Sequence, residues 1–215
     1  MKKGNRYTYV ILGFAILIAI YTSIKVAKEQ TFWLDDKLAD LFAYVPDALN
    51  PFFLLLTELG DKKGIGIVAL IVLVWLLLVK RHFLGAAAIA LATALGNEVN
   101  KVLKDWIARP RPELEHLAHV DSLSFPSGHA MVGLTFYFFI AYLLMEGMKS
   151  TAAKRIVISV TALLLLLIGA SRIILQVHYP TDVIGGFAFG YIWVILSIFI
   201  YNYFRNILIN TKKRG

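Results

Sequence analysis

The stretch Ser171-Arg172-Ile173-Ile174-Leu175-Gln176-Val177-His178-Tyr179-Pro180-Thr181-Asp182 joins two long apolar runs, Ile156–Ser171 and Val183–Phe204. It places an Arg, a His and an Asp where one run ends and the next begins. Ionisable groups at such a position in a membrane protein are costly, so they mark a functional site by default. His178 and Asp182 are four residues apart, so one helical turn brings the carboxylate beside the imidazole. That pair can make an activated base or nucleophile.

The rest of the chain has the same texture. Of 215 residues, 59% are hydrophobic and 17% charged, and the apolar residues fall in blocks. This bounds the class to an all-α, polytopic membrane protein of one domain, 1–215. There is no cysteine, which excludes disulfides and thiolate metal sites. The further runs are Tyr7–Ile24, Gly64–Val79, Phe83–Asn97 and Ala130–Met145. Lys2, Lys3 and Arg6 before the first run could open a signal peptide, but the run is long enough to span and no A-x-A site follows. It is read as an uncleaved helix. Polar flanks lengthen the shorter runs, giving six spans near 7–24, 64–79, 83–104, 128–147, 155–172 and 182–206.

Charge sets the expected topology. One side collects Lys2, Lys3, Arg6, Lys80, Arg81, Lys149, Lys154, Arg155, Arg205, Lys212, Lys213 and Arg214 against the single acid Glu146. The other side holds the remaining bases and every other acid. The basic side is expected to be cytoplasmic, with both termini, in a bacterial-type cell membrane. The net charge of +8 is thereby used up as a topology signal and implies no nucleic-acid partner.

Helix parity then puts four groups at one depth near the outer face. Lys104 lies past the end of the third span, His129 opens the fourth, Arg172 closes the fifth and Asp182 opens the sixth. The 26–63 segment is the longest without a span. Leu34, Leu38, Leu41, Phe42 and Val45 repeat at helical spacing, with Asp35, Asp36, Lys37 and Asp40 between them. It reads as an amphipathic interfacial helix, either a lid over helix ends or a rim that guides lipid.

Three stretches converge on that face: Lys104-Asp105-Trp106-Ile107-Ala108-Arg109-Pro110-Arg111-Pro112, Pro126-Ser127-Gly128-His129, and the opening one. They supply cations (Lys104, Arg111, Arg172), donors at a helix N-terminus (Ser127, Gly128), two histidines and a carboxylate. Cations with a helix N-terminus make an anion site, and Arg suits the fork geometry of phosphate. Phosphoryl transfer needs such charge stabilisation, a nucleophile and a proton donor for the leaving oxygen. His116 and His119, with Glu113, Glu115 and Asp121, read as exposed loop polarity. Glu98 and Lys101 read as a structural i, i+3 pair, and Trp33 and Trp106 as interfacial anchors.

Lys104-x6-Arg111-Pro112, Pro126-Ser127-Gly128-His129 and Ser171-Arg172-x5-His178-x3-Asp182 resemble, in order and in internal spacing, the three signatures of the type 2 phosphatidic acid phosphatase superfamily. That family also includes vanadium haloperoxidases. The resemblance implies an acid phosphatase/haloperoxidase-like helical core and a metal-independent, cofactor-free lipid phosphatase. It implies His178 as nucleophile, Asp182 as its orienting carboxylate and His129 as acid and base. Lys104, Arg111, Ser127, Gly128 and Arg172 would hold the phosphoryl oxygens, and Arg109 would be a bystander outside the six-residue gap. The chain looks most like the branch acting on phosphatidylglycerophosphate or undecaprenyl diphosphate; phosphatidic acid and diacylglycerol pyrophosphate stay open as substrates. The implied partners are that lipid phosphate and the bilayer, with no obligate protein partner. From other classes, a lipid transporter would want mid-membrane charges and a broken helix, for which Gly185-Gly186 is the weak point. A non-catalytic lipid-binding member would be expected to lack a histidine or Asp182.

Overall fold

The computed structural model describes residues 6–29 and 33–212, so Lys2, Lys3, Lys213 and Arg214 of the topology argument lie outside the described residues. The described chain is all-helical. In order come α1 (Arg6–Glu29), α2 (Trp33–Ala43), α3 (Asn50–Glu58), α4 (Lys62–Val74, continued by a π-helical turn Trp75–Val79), α5 (Phe83–Ile107), α6 (Gly128–Glu146), α7 (Thr151–Ile174) and α8 (Pro180–Lys212). Six of these (α1, α4 with its π turn, and α5 to α8) are long and apolar enough to cross a membrane. Side chains such as Leu70, Leu91, Leu163 and Phe199 stand exposed on the flanks, as a lipid-facing surface requires.

The helix ends have local causes. Asp61 caps α4 by accepting from the Lys63 N–H at 3.1 Å. Ser150 caps α7 by accepting from Ala153 at 3.2 Å, and Pro180 opens α8 with its φ already helical. Ala108 takes a left-handed conformation (φ 52°) and its N–H bonds the Lys104 carbonyl, which stops α5. The stop comes later than the sequence suggests. Lys104 therefore sits inside the last turn of α5, not past its end.

α6 is the central helix: half of its apolar window is buried, against 11% for α4. It packs on α5, α7 and α8 through Phe136, Phe139, Ile89, Leu165 and Val194. Two glycines decide how close α8 comes. A Cβ on Gly186 would stand 2.7 Å from the Ser127 carbonyl oxygen, and one on Gly190 would stand 2.6 Å from that of Met131. Small residues at this i, i+4 spacing let two backbones touch, which apolar packing alone cannot drive in lipid. The start of α8 is thus pressed onto the start of α6. Gly185-Gly186, the weak point a transporter reading needs, lies in an unbroken helix.

The helix expected from the Leu34–Val45 repeat is α2, and a second short helix, α3, follows it within the 26–63 segment. α2 and α3 are bent 86° to one another. α2 packs on α7 and α8, and α3 on α7, capping the end of the bundle that carries the site. Asp35 is not on a wet polar face: it is 2% exposed, whereas Leu41 of the supposed apolar stripe is 62% exposed. The helix is rotated about its axis to bury a carboxylate, for a reason given by its partners below.

Candidate active site

Four helix ends and two loops meet beneath α2 and α3. α5 contributes Lys104 from its last turn, α6 opens with Gly128 and His129, α7 closes with Arg172, and α8 opens with Asp182. The Ser127 N–H donates to the Asp182 carbonyl at 3.0 Å, which ties the turn before α6 to the first turn of α8. Two chain crossings separate Lys104 from Asp182, so helix parity brings these groups to one end.

His178 hangs from the loop between α7 and α8. The Arg172 carbonyl accepts from both Val177 and His178 N–H groups, at 3.1 and 3.2 Å, and Val177 is buried against Phe53 and Leu175. The imidazole lies in its own network. Its Nδ1 is 3.3 Å from Asp182 Oδ2 and 3.3 Å from Ser124 Oγ. The Ser124 hydroxyl proton goes to Asp182 Oδ2, so Ser124 Oγ can only accept from the ring. Nδ1 therefore carries the proton. Nε2 faces Arg111 Nη1 at 3.4 Å, a group that can only donate, so Nε2 presents its lone pair. Burial, then the nearby Arg111, Arg172, Lys104 and Arg109 cations, hold this histidine well below its ordinary pKa. It is neutral at pH 7, with its free electron pair pointing away from the carboxylate.

The cations are fixed by partners that do not cancel their charge. Lys104 Nζ donates to the Leu123 and Ser124 carbonyls. Arg111 donates to the Ser122 carbonyl through Nε at 2.6 Å and to the Val177 carbonyl. Arg172 donates through Nη1 to Thr57 Oγ1 at 2.6 Å, which fastens α3 to the site. Carbonyl and hydroxyl oxygens position these side chains and leave their charge intact. Three buried donors, Arg109 Nε, Arg172 Nε and Ser127 Oγ, have no hydrogen-bond partner among the described residues. Unsatisfied buried donors are costly and need a reason.

Gly128 lies against Asn100, whose amide donates to the Pro126 carbonyl at 3.2 Å and so shapes the turn before α6. His129 lies against the turn between α3 and α4. A Cβ on Gly60 would stand 2.8 Å from His129 Cδ2 and 2.7 Å from Ile168 Cγ2, so only glycine lets the turn close over the ring.

Arg109 is no bystander. Its side chain is fully buried, with Nη1 2.5 Å from Asp182 Oδ1 and Nη2 2.6 Å from Asp35 Oδ2. Its guanidinium stacks on the Tyr179 ring at 3.8 Å. It braces the carboxylate behind His178. Sequence reasoning also missed Asp35, Ser124, Thr57 and Gly60. The doubled Arg-Pro was the one visible hint of Arg109. With Lys104 protonated, the bases Lys104, Arg109, Arg111 and Arg172 stand against two buried acids, Asp35 and Asp182, a surplus of two positive charges. That is about the charge of a phosphate monoester near neutral pH. The exposed His119 pairs with Asp121 at 2.8 Å, away from this cluster.

This constellation on an all-helical membrane scaffold defines a class, and residues 85–206 match the family model for the PAP2 superfamily. The chain belongs to that superfamily. It is similar to "Phosphatidylglycerophosphatase B" of Bacillus subtilis (strain 168), 44% identical over 93 residues. That match spans 43% of this chain and 46% of the relative, less than half of its length. The fold is that of a transmembrane PAP2 phosphatase. It matches the crystal structure of a transmembrane PAP2-type phosphatidylglycerolphosphate phosphatase from Bacillus subtilis with TM-score 0.82 and 26% identity, covering 89% of this chain and 96% of that one. Aquifex aeolicus LpxE is more distant in shape, with TM-score 0.63 and 27% identity over 79% of this chain and 98% of the other.

Proposed function

We propose that this protein is a lipid phosphatase that removes the terminal phosphate of phosphatidylglycerophosphate through a phosphohistidine intermediate. What carries the reading is one observation: the neutral His178 offers Nε2 beside Arg111, in a cluster whose Ser127 Oγ and Arg172 Nε have no partner among the described residues. A phosphoryl group meets both needs. Lys104, Arg111 and Arg172, with Ser127 and the Gly128 backbone at the N-terminus of α6, bind its oxygens.

In the first step Nε2 of His178 attacks phosphorus, and the bond from phosphorus to the glycerol oxygen breaks. His129 protonates that oxygen as it leaves. Charge developing on the imidazole is met by Asp182, which accepts the Nδ1 proton's hydrogen bond without taking the proton. In the second step His129 removes a proton from water. The water oxygen attacks the phosphohistidine, releasing phosphate and restoring His178. Fixed cations stabilise the charge on the transferring group in both steps, the part a divalent metal plays in other phosphoryl transfers.

The described basic residues Arg6, Lys80, Arg81, Lys149, Lys154, Arg155, Arg205 and Lys212 gather at the end away from the site. By the positive-inside rule that end is cytoplasmic, and the site opens at the outer face. The test is phosphate release in detergent with a chelator present, comparing phosphatidylglycerophosphate, undecaprenyl diphosphate, phosphatidic acid, diacylglycerol pyrophosphate and a water-soluble phosphate. Fastest turnover is expected on phosphatidylglycerophosphate. A requirement for added Mg²⁺ would overturn the mechanism, and faster turnover of undecaprenyl diphosphate would reassign the substrate.

A further inference from the structure

Asp35 belongs to α2, which supplies no other group to the site, yet it is among the most buried charges in the molecule. Both of its oxygens are used. Oδ1 accepts from the Thr181 N–H at 2.9 Å and from Thr181 Oγ1 at 2.7 Å, which caps the first turn of α8 with a carboxylate from another helix. Oδ2 accepts from Arg109 Nη2 at 2.6 Å. Arg109 Nη1 then reaches Thr181 Oγ1 at 2.9 Å and Asp182 Oδ1 at 2.5 Å.

The fork has a consequence for His178. With Oδ1 of Asp182 held by Arg109, only Oδ2 is left for the Tyr179 N–H, Ser124 Oγ and the imidazole Nδ1. The carboxylate cannot rotate. Asp35 has an electrostatic effect as well. It balances Arg109, which would otherwise spend its whole charge on Asp182 and weaken that carboxylate's hold on the Nδ1 proton. Stability alone is a poor explanation, since a buried acid–base–acid chain rarely outperforms apolar packing of the same volume.

We infer that Asp35 and Arg109 are positioning residues for the nucleophile: the α2 cap, through this fork, fixes the rotation of Asp182 and with it the tautomer of His178. The inference rests on the phosphatase reading for its kinetic arm alone. In that arm, Asp35→Asn and Arg109→Lys are each expected to lower kcat on phosphatidylglycerophosphate by roughly 10- to 100-fold, with KM changed less than about threefold, because a misplaced reacting group costs rate. Lys keeps the charge of Arg109 but cannot fork between two carboxylates. The exposed neighbour variant Asp36→Asn is expected to match wild type.

The second arm needs no turnover. Histidine ¹⁵N spectra in detergent, with the His178 signals assigned by their loss in His178→Gln, report which ring nitrogen is protonated. Wild type is expected to show His178 protonated at Nδ1, and both variants a mixture. Inactive wild type would sink the phosphatase reading and leave this arm standing. Variants that keep the wild-type tautomer, or whose kcat per folded molecule is unchanged, would show the fork to be a structural clasp only and overturn the inference.

Discussion

The two ends of the bundle both hold charge, and they do so in opposite ways. At the end away from the site, Arg205 meets Glu146 at 2.6 Å, and Tyr201 donates to the same carboxylate at 2.9 Å. Within this group the two charges answer each other, and the group is complete. At the site end, Lys104, Arg111 and Arg172 are held by carbonyl and hydroxyl oxygens, so position is fixed and charge is left over. Charge by itself therefore marks nothing. A site is recognised by cations whose partners are neutral and by donors whose partners are missing.

The largest break in that contrast comes from His178→Ala, expected to lower turnover on the order of 10⁴-fold or more while the protein elutes and melts as wild type. Phosphate release beside a thermal melt checks it. Arg172→Lys should cost about 10²-fold in kcat/KM, because a point charge replaces a fork beside Ser127. A steady-state titration of lipid phosphate reads that loss. Gly60→Ala should lower kcat roughly 10-fold, since the new methyl displaces His129 or lifts the α3–α4 turn from it. A side-by-side kcat on the two proteins decides it.

The pH profile sharpens the comparison. The folded pKa of His178 lies below 6.5, so its neutral fraction stays near one as pH falls through that value. The acid limb of kcat/KM is therefore expected below pH 6.5, and a limb at or above it would contradict a neutral, desolvated nucleophile. The smallest effect is at the far end. Glu146→Gln should leave kcat within about twofold and lower stability by less than about 1 kcal/mol, because its partner Arg205 is 42% exposed and already half-solvated. Chemical denaturation in detergent would measure it.

The parts of this protein that can be read from sequence are those written in one place. Six apolar runs, the gap from Lys104 to Arg111, the turn Pro126-Ser127-Gly128-His129 and the pair His178/Asp182 are each local patterns. Their common depth follows from counting crossings. Asp35 is different, since its partners lie 74 and 146 residues away and nothing local says which face of α2 is dry. The same composition serves a wet helix and a docked one. Arg109 was misread for a related reason: spacing to Lys104 identifies Arg111, but it is silent on what a second arginine two residues earlier can brace. The end of α5 was misplaced because a left-handed alanine, not a glycine, stops it.

The order in which the spans are made leaves α1 waiting. Its packing is chiefly along α8, the last helix of the described chain, and Asp35 just beyond it closes on Thr181. About 150 residues separate these partners, roughly seven to thirty seconds of synthesis at ordinary rates. Until α8 arrives, the first helix has lipid for most of its neighbours and the cap has nothing to grip. Competence thus arrives in one late event, when α8 slides in against α1.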